Sequence, residues 1–186
     1  VDQIHPCPGP TGAEKEGEAM TPINQGAELS ECGRYRYKLW RTLNIGQGSV
    51  LFVMLNPSTA DADKDDPTIR RCLGFVQRWG YRKLYVGNLF ALRSTDPRAL
   101  FAHDDPIGVG NDEALMQLAS GATRVVCAWG SHGWYRGVGA MTRHRLRHAT
   151  LFHLGLCRNG EPKHPLYLRA DTTPTPWTLE AIGATQ

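Results

Sequence analysis

Four blocks of the chain are almost continuously apolar: Val50 to Leu55, Lys83 to Leu89, Arg124 to Ala128 and Thr150 to Leu154. Short runs of this kind predict strands buried on both faces. Between the first two blocks the period changes. Ile69, Cys72, Leu73 and Val76 follow the i, i+3, i+4, i+7 spacing of a one-sided helix, which predicts a helix over Thr68 to Trp79. Asp66 and Pro67 supply an N-cap and a proline at the first helical position, and Gly80 ends the helix. The strand–helix–strand unit has about the ~30 residues of a right-handed parallel crossover. Further on, Asn111-Asp112-Glu113 is expected to cap a helix through Ala119, after a long loop from Arg93 to Gly110. A basic helix is expected over Gly139 to His148.

The flanks differ in pattern. Val1 to about Ser30 is rich in Gly, Pro and Glu without a hydrophobic period, and is expected to be a flexible tail. Tyr35 to Leu43 reads as a strand or a lead-in, and Gly46-Gln47-Gly48 as a turn. Residues 31–186 then form a single domain whose C-terminal part, from about Arg169, is irregular. Strands alternating with helices predict an α/β fold: three layers, α/β/α, around a central, mostly parallel, four-stranded sheet.

In such sheets ligands bind beyond the carboxyl ends of the strands. Those ends carry Asn56-Pro57-Ser58-Thr59, Asn88 and Trp129-Gly130-Ser131-His132, with Lys163-His164 soon after the fourth strand. The polar groups converge on one rim. The Asn56 carboxamide can orient a water but cannot deprotonate it; equally, it caps a strand end. Ser58 and Thr59 either donate to a ligand or close a local turn. Asn88 either reads a nucleobase edge or bonds to neighbouring backbone, and Gly87 before it points to a close approach to the backbone. Pro165 holds His164 extended on a stiff loop, a mount for a catalytic or a structural histidine.

Charge and composition add bounds. At 186 residues the chain holds one core rather than two. A net charge of +3 is compatible with nucleic acid without requiring it. The basic segment Arg143 to His148, joined by Arg93 and Arg98, either meets phosphate or is a solvated surface. No stretch approaches the ~20 apolar residues that span a bilayer, and the N-terminal stretch has no export pattern. The five cysteines are odd in number and widely spaced, the pattern of a reduced, cytoplasmic protein with thiols in its core. In the run Asp61 to Asp66, the aspartates at 61, 63 and 65 match the first ligands of a calcium loop. Asp66 stands where glycine is required and Cys72 where the closing glutamate belongs, which rules that loop out. A magnesium site or a solvated loop ending in the N-cap remains, the loop being favoured. No metal or cofactor is implied, and a monomer is the default.

The order of these motifs resembles the uracil-DNA glycosylase superfamily. The resemblance lies in Met54-Leu55-Asn56-Pro57, Val86-Gly87-Asn88, Ala128-Trp129-Gly130-Ser131-His132 and His164-Pro165-Leu166-Tyr167-Leu168. More closely, MLNPSTAD, DDPTIRRC, WGY, VGNLFALRSTDP and HPLYL resemble a bacterial and phage family known as a domain of unknown function. The resemblance implies a glycosylase-like fold and hydrolysis of the N-glycosidic bond of a uracil-type or modified base in DNA. It implies that Asn56 positions the water, Asn88 reads the base, and His164 donates to the base oxygen. Such a preorganised donor is typically worth ~3–4 kcal/mol. Pro57, Ser58, Thr59, Phe90, Trp129, Gly130, Ser131 and His132 would shape the base pocket. Arg70, Arg71, Arg93, Ser94 and Lys163 would grip phosphate, and Leu168 would fill the stack vacated by a flipped base. Arg70 and Arg71 have the alternative of pairing with the aspartates. Ser58-Thr59 and the His-Pro-Leu-Tyr loop depart from the superfamily pattern. Two other functions therefore stay open: a non-catalytic reader of a nucleotide or modified DNA, and a hydrolase of free nucleosides or nucleotides.

Overall fold

The computed structural model describes residues 22–96 and 98–178. Seven strands form one sheet: β1 (Asn24–Leu29), β2 (Arg36–Thr42), β3 (Ser49–Met54), β4 (Lys83–Asn88), β5 (Arg124–Cys127), β6 (Leu151–His153) and β7 (Thr175–Pro176). Their order across the sheet is β1-β2-β4-β3-β5-β6-β7. Pairings β4–β3, β3–β5 and β5–β6 are parallel, and β1–β2, β2–β4 and β6–β7 are antiparallel. Helices are few: α1 (Pro67–Arg78), α2 (Arg98–Ala102), α3 (Asn111–Ser120) and α4 (Val138–Arg145), with 3-10 turns at Ser131–Gly137 and Pro165–Tyr167.

The expected fold class is thus corrected. In place of a glycosylase-like, mostly parallel four-stranded sheet in three layers stands a mixed seven-stranded sheet, with half of its pairings antiparallel. The reason lies in the added strands. β1 reads NQGAEL and β2 RYKLWRT, polar sequences suited to strands at or near an edge, where one face stays wet. β7 is a two-residue edge strand that contains Pro176, tolerated where no further neighbour needs its N–H. Asn24–Leu29, expected within a flexible tail, is the edge strand β1; residues 1–21 of that expected tail lie outside the described residues.

β3 shows why the central strands read as unbroken apolar runs. Leu51 and Val53 face one hydrophobic cluster, with Leu115 and Leu118 of α3 and Val138 at the start of α4. Val50, Phe52 and Met54 face the other, with Ile69, Cys72, Phe75 and Val76 of α1. α1 forms as its sequence predicts: the Asp66 side chain accepts the Ile69 N–H at 2.8 Å, with Pro67 following. α3 does not start as expected. Gly110, at φ +87°, is its N-cap, and Asn111 is instead buried, donating Nδ2 to the carbonyls of Asn88 (3.0 Å) and Leu89 (3.2 Å). The carbonyls beyond β4 need donors, and Asn111 supplies them. The close approach expected at Gly87 is made by α3. A Cβ there would lie 2.6 Å from Leu115 Cδ1, so its small size admits α3. Among the described residues no helix is long and apolar enough to cross a membrane.

Candidate functional site

A cavity of about 630 Å³ opens at the carboxyl ends of β3, β4 and β5, within the usual range for small-molecule sites. Three neighbouring strands end there because they run parallel, with Met54 of β3 registered beside Asn88 of β4.

Asn56 sits on the loop after β3. Its Nδ2 donates to Ser94 O at 2.8 Å and Pro57 O at 3.1 Å, while Ser94 N donates back to Pro57 O at 2.8 Å. Both amide hydrogens are used, so Oδ1 is the atom left to accept from a ligand or a water. Asn88 is held the other way round. Only 1% exposed, it accepts at Oδ1 from Arg36 Nη2 (3.4 Å), which leaves its Nδ2 as a donor. Asn111 fixes the backbone beneath it.

His164 enters on the loop after β6, beside Gly130, whose φ of +77° suits glycine. Its Nδ1 accepts the Leu166 N–H at 3.3 Å. Burial lowers its pKa below the ordinary histidine value, with the Asp66 carboxylate opposing. A neutral imidazole that accepts at Nδ1 carries its proton on Nε2, so His164 is a neutral donor.

Of the other residues singled out in the sequence, Ser58, Ser94, Trp129, Gly130, Ser131, His132, Lys163 and Leu168 also line the cavity. Lys163 is exposed, and Leu168 also packs against the cluster beneath α1. Pro57, Thr59, Phe90, Arg70, Arg71 and Arg93 are not among the lining residues. Phe90 is buried in the cluster on the α3 face. Arg70 donates to Asp65 O at 2.7 Å, Arg71 lies over the Phe75 ring, and both border a separate shallow depression. Arg93 donates to Gly33 O at 3.2 Å. The aspartates of the 61–66 run are mostly spoken for. Asp61 Oδ1 accepts from the N–H groups of Asp63 and Lys64, Asp65 pairs with Arg41, and Asp66 caps α1.

Among the lining residues outside that predicted set, three carry polar or aromatic groups of consequence. Asp66 was favoured as a cap at the end of the 61–66 run, and Tyr167 stands 84% exposed 5.9 Å from the His164 ring. Arg36 is the third. It is 2% exposed, and Nη1 donates to Ala60 O at 2.8 Å while Nε has no partner. Burial pushes its guanidinium down to about 10, with Asp66 opposing, so it stays charged at neutral pH. In a strand with three cations, RYKLWRT, no local signal marked Arg36 as the one beside the cavity.

Fold and site together define a mixed-sheet protein with a cavity at the carboxyl ends of its parallel strands, lined by apolar side chains and a set of polar ones. Residues 36–166 match the family described as "Protein of unknown function (DUF1643)", and the chain belongs to that family. No curated protein and no solved structure matches the chain.

Proposed function

We propose that this DUF1643 chain binds a nucleobase in the cavity and hydrolyses its N-glycosidic bond, the base being a uracil-type or modified base in DNA. The observation that carries this reading is the complementary state of three side chains on one cavity. Asn56 offers an acceptor, and Asn88 and His164 offer donors. An acceptor that cannot take a proton suits a water attacking C1′ of a sugar with oxocarbenium character, since little deprotonation is needed before attack. The bond to the base breaks with its electron pair leaving on the base, and the water, once bonded to C1′, gives up its proton to solvent or to the departed base. A donor at His164 Nε2 meets the charge that develops there. Tyr167, exposed beside the cavity, supplies an aromatic face for a base drawn out of its stack. The motif resemblance to the uracil-DNA glycosylase superfamily points to the same chemistry, although the fold it implied is not the one found.

Asn56 is not a base. The second reading, which holds if attack does require a base, is a protein that binds the nucleotide or modified DNA without cleaving it.

The test uses duplex and single-stranded oligonucleotides carrying uracil, hydroxymethylated or glucosylated pyrimidines, or deazapurines, scored for alkali-labile sites. Cleavage at one base, reduced on the order of 100-fold or more by Asn56→Ala or His164→Ala in folded protein, is expected. Binding without cleavage establishes the reader instead. Wild-type rates in both variants would overturn the site assignment.

A further inference from the structure

The deep end of the cavity holds a cation whose donors are mostly unused. Arg36 carries five N–H groups, and the two hydrogen bonds it makes to the protein go to Ala60 O and Asn88 Oδ1. Its Nε is buried and unpartnered. No carboxylate among the described residues pairs with it, whereas Arg41 on the same strand has Asp65 at 2.8 Å. A buried charge without an ion partner is unfavourable unless something else meets it. The bond from Arg36 also turns the Asn88 amide so that Nδ2, a donor, is left for a ligand. Arg36 and Asn88 thus present donors together, and Lys163 adds a second cation among the lining residues.

We infer that the deep end of the cavity is an oxyanion subsite, in which Arg36 takes a ligand oxygen bearing negative charge and Asn88 a neighbouring acceptor. This deepens the nucleobase reading by naming the ligand class. The ligand is anionic at the edge that enters first, through a nucleotide phosphate or through an ionised oxygen substituent on the base. Neutral deoxyuridine lacks such a group. Arg36 already takes one lone pair of the Asn88 carbonyl, so the group Asn88 offers most freely is the donor Nδ2. Asp66, which also lines the cavity, limits the charge accepted there.

The experiment is calorimetric titration of the full chain, at one ionic strength, with deoxyuridine, deoxyuridine 5′-monophosphate, 5-carboxydeoxyuridine and inorganic phosphate. Wild-type protein is expected to bind at least one organic anion on the order of 10- to 100-fold more tightly than deoxyuridine, the range of a hydrogen-bonded charge. Preference for the monophosphate, with inorganic phosphate competing, assigns the oxyanion to phosphate; preference for the carboxylated base assigns it to the base edge. Arg36→Met is expected to abolish the preference, and Arg36→Lys, which keeps charge but not the planar fork, to retain part of it. Equal affinity for deoxyuridine and both organic anions overturns the inference from wild-type protein alone, whatever the variants do. So does binding of none of the probes, or a preference that survives in folded Arg36→Met. Anion preference without base release leaves the subsite standing and removes the glycosidase reading. Base release without anion preference does the reverse.

Discussion

At one end of β2, Arg41 is fully buried and its guanidinium is surrounded by acceptors; at the other end, Arg36 is almost as deeply buried and is not. Arg41 Nε donates to Asp65 Oδ1 at 2.8 Å, Nη1 to Trp40 O at 2.9 Å, and Nη2 to Asp61 O at 2.7 Å. Arg36 has two protein bonds, an idle Nε, and a cavity beside it. One residue type on one strand therefore serves two purposes. Arg41 pins the 61–66 loop to the sheet, and that loop lies between Asn56 and α1. Arg36 also ties the sheet to that stretch, through Ala60 O, but fewer of its donors are met and it lines the cavity. Burial alone does not distinguish the two arginines; the number of donors met by the protein does.

The comparison breaks most readily at Arg41. Arg41→Met leaves Asp65 without its partner and frees the loop, and stability is expected to fall by about 3 kcal/mol, read by urea denaturation. A loss under about 1 kcal/mol would mean that the pair is no more than a surface contact. Asp66→Ala removes the α1 cap and is expected to lower stability by about 1 kcal/mol. Asp66→Asn keeps a good cap while removing the carboxylate that shares the cavity with Arg36. It should therefore fold like wild type and bind an anionic probe more tightly, as calorimetry would show. If Asp66→Asn weakens anion binding, Asp66 holds the ligand rather than opposing it. Arg36→Met exchanges two hydrogen bonds for the removal of an unpaired buried charge. Its stability is expected to stay within about 1 kcal/mol of wild type, unlike that of Arg41→Met in the same assay.

The smallest effect is one of pH. Burial lowers His164 below its ordinary 6.5 in the folded state. The unfolded chain then takes up a proton first as pH falls. The stability contributed by neutral His164 is therefore full above pH 6.5 and lost as the pH drops through that value toward the lower folded one. His153 is lowered by burial in the same direction. Melting temperature measured from pH 7.5 to 5 should fall less in His164→Gln than in wild type. An equal fall in both would remove His164 from that dependence.

Much of the candidate site was legible because strand ends are easy to find. The apolar run of β3 stops before Asn56, β4 stops on Asn88, and both residues reach the cavity. Phe90, two residues beyond Asn88, was assigned to the same pocket but is buried among the side chains against α3. Backbone pairing with β3 continues past Asn88, Phe90 N donating to Leu55 O at 2.9 Å, and the side chain faces the other core. Leu168 and Tyr167 show a related limit. Adjacent in sequence, one is partly packed against the core and the other is open to solvent.

What the chain determined by itself is local. The helix Pro67–Arg78 follows from apolar spacing and from a cap that bonds three residues away, interactions available before any sheet exists. Strand order, the antiparallel edges and the state of each buried charge were decided only by the tertiary structure. Arg36 finds its partners 24 and 52 residues along the chain, at Ala60 and Asn88, and Asn111 reaches back 23 residues to hold the backbone of Asn88. No local pattern records such contacts, because they depend on which strand lies beside which. β2, which precedes β3 in the chain, pairs instead with β4, and that placement sets Arg36 against Asn88 at the edge of the cavity.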